Sequence, residues 1–139
     1  MAPARRTKGE IRRLLRARRR ELAAARDLTA DGAALAEHLL DHPPAGWPGA
    51  AGRTAPTTVL SYESLPHEPP TAGVNAALQS AGHRVLVPIT LPDMQLEWCD
   101  LADPDRSPLG VDAPGAADLA IIPALAVDTS GTRLGQGGG

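Results

Sequence analysis

Apolar residues recur with two different periods along this chain, and the change of period divides it. Ile11, Leu14, Leu15 and Leu22 stand at three- and four-residue steps or their multiples, the spacing that lines one side of an α-helix. Arg13, Arg16, Arg19 and Arg20 spread over the remaining sides, so an amphipathic helix with a basic outer face is expected. Thr7 followed by Glu10 has the spacing of a capping box, in which hydroxyl and carboxylate each satisfy a free backbone N–H; the helix should begin near Lys8. A second helical run carries Ala33, Leu35, Ala36, Leu39 and Leu40, with Thr29 as candidate cap and Pro43 and Pro44 as its stop. Residues 44–56 read as loop.

From Thr57 the pattern turns β-branched and apolar through Tyr62, as in a short buried strand. Val74, Ala77, Leu78 and Ala81 then return to helical intervals, and Gly82 stands where a left-handed helix cap belongs. Arg84 to Ile89 is a second strand, which completes a βαβ unit with parallel strands and a right-handed crossover. Met94 to Cys99 reads as an edge strand and Asp118 to Ile122 as a compact buried one, separated by a proline- and aspartate-containing loop. The expected fold class is α/β: a single three-layer domain over residues 1–139 with a mostly parallel central sheet and sites at the carboxyl ends of its strands.

Composition narrows the function classes. With 139 residues, no Phe, one Tyr and two Trp, the core has to be built from Leu, Val, Ile and Ala. The formal charge of -2 conceals a basic N-terminal segment, since ten of the fourteen Lys and Arg residues lie between Arg5 and Arg26. No aromatic residues interleave with those arginines to stack on bases, so nucleic acid is not an expected partner. No apolar run approaches the roughly 20 residues of a membrane span, so no membrane partner is expected either. Cys99 is the single cysteine, which excludes an intramolecular disulfide and fits a reducing cytoplasm.

The segment with most chemical content runs Ile122-Pro-Ala-Leu-Ala-Val-Asp-Thr-Ser-Gly-Thr-Arg-Leu-Gly-Gln-Gly-Gly-Gly139. Glycines without Cβ atoms let several N–H groups converge on an anion, and Arg133 adds a fork of donors suited to phosphate oxygens. No Gly-Lys-Ser/Thr follows, so it is not a Walker A loop. Asp128 reads equally well as the start of a turn or as an ordering group for the glycine loop.

This segment resembles the signature of the 5-formyltetrahydrofolate cyclo-ligases, Pro-Gly-Leu-Ala-Phe-Asp, two residues, Gly, one residue, Arg-Leu-Gly, one residue, Gly, one residue, Gly-Tyr-Tyr-Asp. Ala124 replaces a common Gly and Val127 a common Phe. Lys8 and Arg12 have the spacing of the Lys and Arg that the family uses for ATP. Tyr62 to Thr71 is similar to the family's Tyr, five residues, Glu, two residues, Thr, and Leu109 to Pro114 to its Phe-Gly-Ile, one residue, Glu-Pro, with Ala113 in place of the Glu.

The resemblance implies ATP-dependent conversion of 5-formyltetrahydrofolate to 5,10-methenyltetrahydrofolate, with ATP and Mg2+ required. It implies Arg133 as the catalytic residue. An ATP site would comprise Lys8, Arg12, Arg133, Leu134, Gly135, Gln136, Gly137, Gly138 and Gly139. The folate substrate would meet Glu63, Glu68, Gln136, Gly137, Gly138 and Gly139. No metal ligand is expected within the chain, because the family's magnesium aspartate belongs to the Tyr-Tyr-Asp that would follow Gly139. A chain lacking the family's C-terminal portion also admits an alternative reading, an inactive remnant that at most binds nucleotide or a partner.

Overall fold

The structure, a computed structural model, describes residues 4–48 and 56–136. Helix α1, Lys8–Ala25, starts at the expected cap. The Thr7 amide donates to Glu10 Oε2 at 2.7 Å and the Glu10 amide to Thr7 Oγ1 at 3.3 Å, so both halves of the capping box are present. The backbone N–H from Thr7, and then its hydroxyl, hold the Glu10 carboxyl below the usual range. Helix α2 spans Leu28–Asp41, but its cap is Asp27, whose carboxylate accepts from the Ala30 amide at 3.1 Å, and Thr29 lies inside the first turn. A short acidic acceptor before the first helical residue serves the free N–H groups at least as well as a hydroxyl. Arg26 adds a two-pronged pair to Asp31 at 2.6 Å, locking the α1–α2 corner.

Strand β1, Thr58–Leu60, is followed by α3, Ala72–Ser80, and β2, Arg84–Thr90. The β1 and β2 strands are parallel, in the register Thr58–Arg84, Val59–Val85, Leu60–Leu86. Gly82, at φ +89°, ends α3 as the pattern requires: its amide reaches the Gln79 carbonyl and that of His83 the Leu78 carbonyl, each at 3.0 Å. Strand β3, Leu96–Asp100, joins β2 antiparallel at one edge, and β4, Leu119–Ala120, joins β1 parallel at the other. The sheet order is β3-β2-β1-β4, a mixed α/β fold with a mostly parallel sheet. The segment around β4 is less enclosed than a compact buried strand would be: Ala120 is exposed and Ile122 is 56% exposed. The compact apolar run there indicates a strand but does not fix what covers it.

Successive strand residues face opposite sides of the sheet. Val59, Val85, Val87 and Cys99 meet Val74 and Leu78 of α3, with Ala36 and Leu39 of α2 packed against them. Each such buried aliphatic contributes about 1.5–3 kcal/mol relative to exposure, and this one-sided cluster is the core. Helices α2 and α3 cross closely enough that a Cβ built on Gly73 would stand 3.1 Å from the Gly32 carbonyl oxygen. The other side of the sheet carries Leu60, Pro88, Thr90, Leu96, Trp98 and Ala120, which line a cleft.

Past β4 the chain forms a hairpin that strand periodicity did not announce, β5 at Ala126–Val127 and β6 at Arg133–Leu134. Its turn is built on Asp128, whose Oδ1 accepts from the Ser130 amide, the Ser130 hydroxyl and the Thr132 amide at 2.9, 2.6 and 2.9 Å. The Ser130 hydroxyl, and next the Thr132 amide, lower the Asp128 pKa.

Candidate functional site

The hairpin and α1 meet over the carboxyl ends of β1 and β4. Arg12 Nε donates to the Gly135 carbonyl at 3.1 Å, across 123 residues of sequence. Arg16 donates to the Gln136 carbonyl and Arg19 to the Ala124 carbonyl. Residues 12, 16 and 19 lie four and three apart, so one side of α1 grips the backbone on which the hairpin stands. Arg19 is thereby drawn in from the expected basic outer face, while Arg16 makes its bond on the exposed surface. No residue of α1 is buried, and Leu14 and Leu22 remain 49% and 43% exposed. The helix therefore docks through cations more than through its leucines. The 12/16/19 spacing was visible in the sequence, but carbonyl acceptors more than a hundred residues away were not.

Arg12, Arg133, Gly135 and Gln136 line one cleft of about 750 Å³, with Ser61 and Tyr62 after β1 and Ile121 to Pro123 after β4. Arg133 folds back along the hairpin, Nη1 donating to the Pro123 carbonyl at 2.9 Å. A Cβ at residue 135 would sit 3.1 Å from that same Nη1, so glycine is what allows the guanidinium to lie against the loop. Leu134 pairs with Ala126 and continues the hairpin into Gly135.

The loop after β1 is held from within. Thr71 Oγ1 donates to the Tyr62 carbonyl at 2.6 Å, and Ser64 and Thr71 exchange bonds of 3.1 Å. Asn75 Nδ2 adds a further bond to the Tyr62 carbonyl at 3.1 Å. Burial raises the Tyr62 phenol pKa, the Glu68 charge raises it further, and Arg19 offsets part of this. Glu68 itself is 7% exposed. Its Oε2 accepts from the Leu65 amide at 2.7 Å and its Oε1 from Gln136 Nε2 at 3.2 Å.

Glu68 also lines a second cavity, of about 640 Å³, between α1 and α2. The Glu68–Gln136 bond thus stands between the two spaces. Of the residues singled out from sequence, the structure brings Arg12, Arg133, Gly135 and Gln136 into the cleft, with Glu68 bonded to Gln136. Lys8 opens α1 on the exposed surface, one turn before Arg12. Glu63 stands outside both cavities, paired with Arg106 at 2.7 Å. Gly137, Gly138 and Gly139 lie outside the described residues. Among the described residues no group of three or more His, Cys, Asp or Glu side chains could hold a metal ion, and no helix is long and apolar enough to cross a membrane.

A family comparison decides what this arrangement resembles: the 5-formyltetrahydrofolate cyclo-ligase family matches residues 4–139. The chain belongs to that family. A 5-formyltetrahydrofolate cyclo-ligase of Mycolicibacterium smegmatis is 33% identical over 99 residues, covering 59% of this chain and 51% of that protein. The chain spans about half the length of the curated relative it matches. A solved 5,10-methenyltetrahydrofolate synthetase from Mycoplasma pneumoniae has the same fold, with a TM-score of 0.64 over 91% of this chain and 71% of that one, at 16% identity. As a cyclo-ligase family member, the chain combines the family's sequence pattern with a hairpin and a helix that bring the two ends of that pattern together.

Proposed function

We propose that this chain carries the ATP-dependent cyclisation of 5-formyltetrahydrofolate to 5,10-methenyltetrahydrofolate, with ADP and phosphate released. The observation that carries this reading is the convergence of Arg12 with Arg133, Gly135 and Gln136 in one cleft at the strand ends. An amide-like formyl oxygen is a poor leaving group until it is phosphorylated. In the proposed sequence the ATP γ-phosphoryl passes to that oxygen, the N10 electron pair attacks the formyl carbon, and the carbon–oxygen bond breaks to release phosphate. N10 loses its proton as the methenyl bridge forms. Phosphoryl transfer of this kind needs positioning and charge neutralisation more than covalent help from the protein.

In this reading Arg133 is the catalytic cation and Arg12 its partner on the phosphates. Lys8, exposed one turn earlier on the helix, reaches toward the same chain of phosphates, and the loop from Leu134 through Gly139 supplies backbone donors. Glu68 orients the folate, with Glu63 at the outer edge of its approach. Magnesium belongs to the reading as a family requirement. The described residues offer no cluster of three or more His, Cys, Asp or Glu side chains to hold it. A cytoplasmic setting accords with the single, buried Cys99.

The test is the absorbance rise of the methenyl product with ATP and 5-formyltetrahydrofolate. Arg12→Ala and Arg133→Ala should each lower kcat/KM by at least about tenfold, or about 1.4 kcal/mol. Arg20→Ala, on the exposed side of α1, should stay within about twofold. Equal rates in all three variants would overturn the assignment.

A further inference from the structure

Glu68 is a carboxylate almost wholly removed from water, and a charge in that position is costly unless it is paired and hydrogen-bonded. Its two described hydrogen-bond donors, the Leu65 amide and the Gln136 amide group, are both neutral. The one cation within ion-pair distance among the described residues is Arg19, with Nη1 at 4.0 Å from Oε1 and side-chain exposures of 16% and 8% for the two partners. Through Nη2 the same guanidinium donates to the Ala124 carbonyl. Ala124 lies between Pro123, whose carbonyl receives Arg133, and Leu125, whose amide bonds the Leu134 carbonyl at 2.8 Å. One guanidinium is therefore bonded to the base of the hairpin that carries Arg133 and places its charge at the edge of ion-pair range of Glu68, without a hydrogen bond to it, while Gln136 bonds Glu68 from the other side.

We infer that Arg19 is a positioning residue of the folate site, fixing Glu68 at a set distance from the glycine loop. This rests on the cyclo-ligase reading above. The bond to the Ala124 carbonyl fixes where the guanidinium charge stands beside Glu68, whereas a lysine ammonium on a flexible stem keeps the charge without fixing its place. Arg19 acts through Glu68, so removing it should impair folate recognition much more than ATP recognition.

The test is a double-mutant cycle. Arg19→Met should raise the KM for 5-formyltetrahydrofolate about tenfold and the KM for ATP less than about twofold, with Arg19→Lys in between. In a Glu68→Gln background the same substitution should add less than about twofold, because the group it positions is already gone. Arg12→Ala, on the nucleotide side, should combine additively with Arg19→Met. A purely structural arginine would lower melting temperature and active fraction while leaving the folate KM in place, and that result would overturn the inference, as would additivity with Glu68→Gln. The same cycle run on equilibrium binding of 5-formyltetrahydrofolate separates the two ideas. Coupled binding without turnover in the parent chain would remove the activity reading and keep Arg19's role. Turnover with additive effects would remove Arg19's role alone. No folate binding by the parent chain would remove both.

Discussion

Replacing Gly73 with alanine tests how closely α2 and α3 must approach, and Gly9→Ala supplies an internal control. Both glycines are the second residue of a helix preceded by a threonine, Thr71 and Thr7. The gain from lost unfolded-state freedom and better helix propensity, about 0.5–1 kcal/mol in a helix interior and less near a terminus, therefore applies to both and cancels in the comparison. What differs is the space. A Cβ at Gly9 would meet nothing nearer than Thr7 Oγ1 at 3.9 Å, whereas at Gly73 it would meet the Gly32 carbonyl oxygen at 3.1 Å and carbonyl carbon at 3.4 Å. Those atoms belong to the backbone in the middle of α2 and cannot rotate away as a side chain would. Forcing a methyl group into a packed crossing costs about 1–3 kcal/mol, so Gly73→Ala should be less stable than Gly9→Ala by that amount. For a chain of this size, about 1 kcal/mol corresponds to about 4 °C in Tm. Urea unfolding provides the measure, with midpoints compared at equal slope. Pro70 packs on Gly32 and Thr71 stands at the N-cap of α3, and both belong to the loop that carries Glu68, so the variant should also raise the KM for 5-formyltetrahydrofolate. Equal midpoints for the two variants would show that the helices part without cost, and the reasoning would fail.

Gly135→Ala should leave the midpoint within about 0.5 kcal/mol, because the crowded neighbour is the tip of an exposed side chain. It should nevertheless reduce kcat/KM by about tenfold, through displacement of the Arg133 guanidinium; parent-level turnover would contradict the placement of that group. The depressed Asp128 pKa sets a direction for pH dependence. Its contribution to the hairpin should be complete above the unfolded carboxyl value of about 4 and disappear as pH falls through the lower folded value. Hydrogen-exchange protection of the Thr132 amide, compared with Asp128→Asn across that acid range, would show it, and identical pH profiles in the two proteins would refute it.

The parts of the fold that could be read from sequence are those set by neighbours along the chain. Thr7 and Glu10 meet within one turn, Gly82 ends α3 by its own backbone conformation, and the β1–α3–β2 unit follows from the change of period between residues 57 and 89. The α2 start was misplaced by two residues because Asp27 and Thr29 are both competent caps and the winner depends on the corner made with Arg26. The β5–β6 hairpin was missed because its strands are two residues each, too short to show alternation, and its turn is specified by the side chain of Asp128. In the candidate site, the glycine loop and Arg12 were legible as a family pattern. The surroundings of Glu68 were not, since Arg19 and Gln136 reach it from 49 and 68 residues away. Glu63, which the resemblance sets beside the folate, is paired with Arg106, a partner 43 residues away that local spacing does not show.

The way α1 is fastened has a geometric consequence. Greasy surfaces slide over one another with little change in energy, but a guanidinium bonded to a peptide oxygen has a preferred bearing. Three such bearings, taken from residues 124, 135 and 136, fix the tilt of the whole N-terminal rod. If a single peptide plane in that stretch turned over, one anchor would face the wrong way and the rod would swing. Its orientation thus serves as a readout of the backbone beneath it.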